Sequence, residues 1–182
     1  IRPKRTVFSG ERPLHALRER GVQYVEVRCM DLDPFEPLGI SAATARFLDV
    51  FLLHCLLTDS PPDSPEEIEV LKRNQNLAAE RGREPGLLLR RGERETTLAQ
   101  WSAELIAECA VIAQRLDAET GTPLHTESLE NAAALAQDPS RLPSTRVLAA
   151  IRNEHDGSFM DFVRAQSLSL REAALALSLI HI

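Results

Sequence analysis

From Ser41 onward the apolar positions of the chain recur at helical spacing. Ser41 is placed to cap a helix running to about Thr58, and within it Phe47, Leu48, Phe51, Leu52, Cys55 and Leu56 are apolar on more than one side, which predicts a central helix. A sharper start signal follows at Ser64, with Pro65 at the first helical position and Glu67 three residues after the cap, and that helix should end near Gly82. The segment REPGLLLRRGERE reads as a connection. Thr97 then opens a third helix, in which Leu98, Trp101, Leu105, Cys109, Ile112 and Leu116 share helical spacing and GTP at 121–123 supplies the stop. Shorter helices are predicted over 126–137, 144–153 and 158–177.

Residues 1–40 differ in kind. IRPKRTVF reads as extended, PLHALRER as a short helix, VQYVEVRCMDL as the clearest strand, and DPFEPLG as a turn-rich exit. The expected fold class is α+β, with strands over 1–40 and a helical region of the same domain over 41–182. No internal repeat or low-complexity tract interrupts either part.

Composition narrows the function classes. At 182 residues and 43% hydrophobic the chain can bury one substantial core, and aromatic residues at 4% favour helices over a sandwich or barrel. A formal charge of −6 argues against a general phosphate-backbone binder, so nucleic acid is not an expected partner. Cys29, Cys55 and Cys109 are an odd number at wide spacing, which suggests neither a disulfide framework nor a structural zinc site and fits a reducing cytoplasm. The most apolar segment, FLDVFLLHCLL, is too short for a bilayer and carries Asp49 and His54, so no membrane insertion is expected. The chain begins at Ile1 on a basic run, from which a missing upstream portion is expected.

Chemistry concentrates in the predicted strand. Alternate side chains of a strand share a face, so Tyr24, Glu26 and Arg28 should point one way and Val25, Val27 and Cys29 the other, towards a core. Glu26 and Arg28 are then about 7 Å apart along one face, a spacing suited to holding a metal and an anionic group side by side. Phosphoryl transfer uses such a pair, a carboxylate on magnesium and a guanidinium on the phosphoryl oxygens. An outer face that is simply solvated fits the same alternation. Arg2, Lys4 and Arg5 form a phosphate-binding cluster if they lie beside the Glu26 strand, or else a charged edge that keeps a strand soluble.

Other polar residues carry less. His54 on an apolar helix reads as a satisfied core histidine, and His125 and His155 lack ligand spacing to a Cys or a second His. Cys29 has no neighbouring His and faces the wrong way for a nucleophile. Asp63, Glu66 and Glu67 are accounted for by helix capping and the helix dipole. No GxGxxG, Walker loop or nucleophile elbow is present.

IRPKR, VQYVEVRCMDLDPFEPLGI and RFLDVFLLHCLL, in this order, resemble bacterial glutamate–cysteine ligase of type 1. The similarity continues through RNQNLAAERGREPGLLL, PSTRVLAAI and SFMDFVRAQSLSLREA, so it covers most of the chain, as a C-terminal fragment. The resemblance implies an ATP-dependent ligase of glutathione biosynthesis with Mg2+ as cofactor and L-glutamate, L-cysteine and ATP as substrates. It also implies a glutamine synthetase-like antiparallel sheet, of which this chain holds the last strands, followed by C-terminal helices. By motif, Glu26 matches the family's metal-binding carboxylate, Arg28 the arginine that stabilises the transferring phosphoryl group, and Arg2, Lys4 and Arg5 a basic strand near the nucleotide. Asp33 stands where related sequences carry a neutral amide and is not taken as a ligand, and the ending LSLIHI departs from the family's usual terminus. The fragment alone is expected to be inactive. Two other readings remain at this point: a non-catalytic helical interaction module, and a related carboxylate–amine ligase with another acceptor. Acceptor, metal count, feedback regulation and oligomeric state are not encoded in these motifs.

Overall fold

The structure, a computed structural model, describes residues 1–28 and 30–179. Cys29, His181 and Ile182 lie outside the described residues, and with them the core-facing reading of Cys29. The chain divides into two compact units, Ile1–Leu32 and the residues from Asp33 on.

The first unit contains β1 (Arg2–Lys4), α1 (Pro13–Arg20) and β2 (Tyr24–Glu26). The strands pair antiparallel with Arg2 opposite Glu26, Pro3 opposite Val25 and Lys4 opposite Tyr24. Pro13 occupies the first position of α1, where its missing N–H costs no hydrogen bond, and the Gly21 N–H closes the helix on the Leu17 carbonyl. The strand is shorter than VQYVEVRCMDL predicts, so Arg28 lies beyond its end. The expected core face is only partly covered: Val25 is exposed and Val27 half-buried, and Ala16 is the buried side chain of the unit among the described residues.

The second unit is helical around one small hairpin. Its elements are α2 (Ala42–Leu57), α3 (Pro65–Arg81), β3 (Leu88–Arg91), β4 (Arg94–Thr97), α4 (Leu98–Thr120), α5 (Leu124–Gln137), α6 (Pro143–Glu154) and α7 (Phe159–Leu179). The caps fall where the sequence puts them. The Ser41 side chain accepts from the Thr44 N–H, Ser64 from the Glu67 N–H, and Thr97 forms a reciprocal capping box with Gln100. Gly121 ends α4 in the left-handed conformation at φ 70°, where a side chain would be strained.

Val50 of α2, Cys109 and Ala113 of α4 and Leu129 of α5 form the core, with Phe47, Phe51, Ile106 and Leu116 packed around it. The helix α2 therefore contributes to the core as expected, but only through one stripe. Leu56 and Leu57 at its C-terminal end are exposed.

The segment REPGLLLRRGERE is not a plain connection. It builds the β3–β4 hairpin, in register Leu88 with Thr97 through Arg91 with Arg94, around a two-residue turn at Gly92 and Glu93. Gly92 sits at φ 60°, the left-handed region that such a turn needs at its first central position. Asn74 of α3, itself buried, accepts from the Arg90 N–H at 3.0 Å and donates to the Arg90 carbonyl at 2.6 Å, which fastens the hairpin to the helix.

The start of α5 has no cap of its own, since Pro123 offers no side-chain acceptor. Asp117, on α4, serves instead: one carboxylate oxygen accepts from the His125 N–H at 2.8 Å and the other from the Thr126 N–H at 2.9 Å, while the His125 ring lies at 2.8 Å. Partial burial opposes ionisation of Asp117. The hydrogen bonds from the Thr126 hydroxyl, the two backbone N–H groups and the His125 ring outweigh it and hold the carboxyl well below its usual range. Near the other end, Asp33 begins a tight loop in which Phe35 lies edge-on to Phe162 at 6.2 Å, under the Arg146 guanidinium at 4.0 Å. No helix among the described residues is long and apolar enough to cross a membrane.

Candidate functional site

The antiparallel register of β1 and β2 decides which side chains meet. Directly opposed residues share a face and residues two apart repeat it, so Arg2, Lys4, Tyr24 and Glu26 project from one side of the ribbon. The basic segment thus lies beside the Glu26 strand, which is the condition under which it forms a cluster and not merely a charged edge.

Glu26 is the hub of this face. Its Oε2 accepts a hydrogen bond from Arg28 Nε at 2.6 Å and lies 3.4 Å from Lys4 Nζ. The Arg28 hydrogen bond, opposed by partial burial and reinforced by the charges of Arg28 and Lys4, lowers the Glu26 pKa below its ordinary value, so it is a carboxylate at neutral pH. The Cα spacing of an ideal strand led to the expectation of two groups held apart. Because Arg28 lies past the last ladder residue, its side chain folds back onto Glu26 instead.

Arg5 does not join the hub. Its Nε donates to the Gly21 carbonyl at 2.5 Å, across the connection between α1 and β2. Gln23 supports the same corner: its N–H donates to the Lys4 carbonyl at 2.9 Å and its side chain accepts from the Thr6 N–H at 3.0 Å.

A second charged pair, missed in the sequence, holds the turn between β1 and α1. Arg20 donates to both oxygens of Glu11 at 2.6 and 2.8 Å, donates to the Thr6 carbonyl at 3.1 Å, and lies 4.6 Å over the Phe8 ring. With the Phe8 N–H also donating to Glu11, the carboxyl is lowered from 4.5 to about 2, chiefly by the Arg20 hydrogen bonds. The available signal was the Glu11 to Arg20 charge pairing across a predicted short helix, but no local spacing rule joins residues nine apart.

The histidines are engaged structurally. His54 lies 3.3 Å from Glu108, His125 is held by Asp117, and His155 meets the Phe162 ring edge-on at 5.7 Å. Among the described residues no group of three or more His, Cys, Asp or Glu converges to hold a metal ion. Glu26 offers one carboxylate, fewer donors than the six oxygens magnesium requires, so this chain by itself does not fit the metal.

A family model described as glutamate-cysteine ligase matches residues 1–78, the stretch that contains the ribbon, Glu26 and Arg28. The glutamate–cysteine ligase of Pseudomonas fluorescens strain Pf-5 is 45% identical over 92% of this chain and 31% of its own length. That of Janthinobacterium sp. strain Marseille is 47% identical over 94% of this chain and 32% of its own. The crystal structure of glutamate–cysteine ligase from Francisella tularensis, in complex with AMP, superposes with a TM-score of 0.80 at 34% identity, covering 93% of this chain and 34% of that one. The chain spans about a third of the length of the relatives it matches. By family model over residues 1–78, by sequence and by fold, the chain matches about a third of the length of glutamate–cysteine ligases.

Proposed function

We propose that this chain contributes the ribbon face bearing Glu26, Arg28, Arg2 and Lys4 to the active site of a full-length, cytoplasmic glutamate–cysteine ligase. That enzyme joins the γ-carboxyl of L-glutamate to the amine of L-cysteine. ATP phosphorylates the γ-carboxylate, and the cysteine amine then displaces phosphate from the acyl phosphate, giving γ-glutamylcysteine, ADP and phosphate. The AMP held by the Francisella relative supports a nucleotide co-substrate. Bound magnesium would neutralise the nucleotide phosphates and the phosphoryl oxygens, with Glu26 as one ligand among others that this chain does not supply.

The observation that carries the reading is the shared Glu26 oxygen. One oxygen of this carboxylate faces two cations, Arg28 and Lys4, and the side chain is still 37% exposed, which suits it to a place among cations and anionic groups. Were a divalent ion bound there, Glu26 would be one of its ligands, and Arg28 beside it would offer its guanidinium to an anionic oxygen. The guanidinium hydrogen-bonded to Glu26 would stabilise charge on the transferring phosphoryl group. Arg2 and Lys4, projecting from the same face, add positive potential for the nucleotide phosphates, and Arg5 acts by fixing the corner at Gly21.

The test places Glu26→Gln and Arg28→Lys separately in the full-length parent. Each should lower turnover by about 100-fold, the scale of losing one positioned electrostatic group. Near-normal rates in both would sink the assigned roles. The 182-residue chain alone should form no γ-glutamylcysteine from ATP, glutamate and cysteine, since one carboxylate does not assemble the metal site.

A further inference from the structure

The first unit is electropositive within an acidic chain. Residues 1–32 hold seven Lys and Arg against four Asp and Glu, while the whole chain carries a formal charge of −6. Part of that excess is consumed internally: Lys4 and Arg28 face Glu26, Arg20 grips Glu11, and Arg5 holds a carbonyl. Arg12 and Arg18 are different. Neither guanidinium has a hydrogen-bond or ion-pair partner among the described residues, yet both residues line the same cavity of about 320 Å³ beside α1.

Gly10, Glu11, Leu14 and His15 complete the lining. Arg12 directly precedes α1, and His15 and Arg18 follow at intervals of three, the spacing that places successive side chains along one flank of a helix. Glu11 does not cancel these cations, because both of its oxygens are engaged by Arg20 and one also accepts from the Phe8 N–H. His15 keeps only a long 3.8 Å contact with Glu19. Leu14, exposed, supplies an apolar wall. Two planar guanidinium forks on a concave surface match the paired oxygens of a phosphate or carboxylate, a geometry an ammonium group does not reproduce. The volume, within the range of small-molecule sites, leaves room for more than a bare anion.

We propose that this cavity is a binding site for a small molecule bearing an oxyanion, held by Arg12 and Arg18 with His15 between them and its apolar part against Leu14. The site contains none of the residues assigned to the ligase reaction and stands independently of that assignment.

Titrating the 182-residue chain at fixed ionic strength with pyrophosphate, inorganic phosphate and succinate, followed by amide NMR and calorimetry, tests the proposal. Saturable one-to-one binding of at least one probe is expected, with the largest shifts at Arg12, Leu14, His15 and Arg18. Preference for pyrophosphate or phosphate identifies a phosphate ester, and preference for succinate a carboxylate. Arg12→Gln combined with Arg18→Gln should weaken binding at least about tenfold, the effect of losing charge-assisted hydrogen bonds. Arg152→Gln, on α6, should leave it unchanged. The pair Arg12→Lys and Arg18→Lys keeps charge without the fork and should fall between; it also supplies the readout if the glutamine pair does not fold. Absence of saturation with every probe overturns the site. So does a loss produced by Arg2→Gln and not by the helix pair, which places the anion on the ribbon instead.

Discussion

Among the described residues of Ile1–Leu32, Ala16 is the buried hydrophobic side chain, whereas Val50, Cys109, Ala113 and Leu129 form a contiguous cluster in the unit that follows. The first unit is held by directional polar contacts: the Glu11–Arg20 fork, the Arg5 and Gln23 hydrogen bonds, and one short ladder. The second is held by helix packing with caps at its starts. The contrast follows from size, since about 30 residues cannot enclose a core and a two-stranded ribbon is marginal by itself in water. The unit that bears Glu26 and Arg28 is therefore the one whose order depends on charge. Its Val22, Tyr24, Val25 and Leu32 are exposed apolar surface.

Substitutions separate the two kinds of stabilisation. The largest loss should come from Phe162→Ala in α7, which removes a buried ring packed on Phe35 and His155, at about 3 kcal/mol in chemical denaturation. Val50→Ala should cost about 2 kcal/mol by emptying the centre of the helical core. Neither should alter hydrogen exchange at the Gly21 or Phe8 amides; a parallel loss of protection there would mean that the first unit leans on the helical core. Asn74→Ala leaves the Arg90 N–H and carbonyl without their partner and should cost about 1–2 kcal/mol.

The smallest and most local effect should come from Glu11→Gln. It should speed exchange at Phe8 and around Arg20 without moving the main unfolding transition, and 1 M salt should act in the same direction. Acid sharpens the contrast. Because the folded pKa of Glu11 is depressed from 4.5 to about 2, its contribution is complete above about 4.5 and is lost as pH falls towards 2. Asp117 has the same sign, so the α5 cap also weakens only in strong acid. A first unit that stays ordered once the pH has fallen well through the folded pKa of Glu11 would refute the charge-dependent account.

Most of the helical unit was legible because helices announce themselves locally. Ser41, Ser64, Thr97 and Gly121 act through groups within four residues, and the predicted spans agree with α2 to α7 to within a few residues at each end. The hairpin was hidden because its strands are polar: Arg90, Arg91, Arg94 and Glu95 mask the alternation that Leu87 and Leu89 show once the structure reveals them as buried. The Gly92–Glu93 turn was the signal present. Asp117 was illegible as a cap since it acts from another helix. At the site, strand alternation identified which residues share a face, and the register confirmed that Arg2 and Lys4 sit beside Glu26. It could not anticipate the direct Arg28–Glu26 contact, because that depends on where the ladder stops.

Asn74 presents to Arg90 one acceptor and one donor, the same pair of groups that a residue of an adjoining strand would present. The side chain therefore mimics a third strand one residue long. At Arg90 the β3 edge has no open backbone groups left to recruit another chain, so a helix side chain closes that one point of the edge to strand pairing.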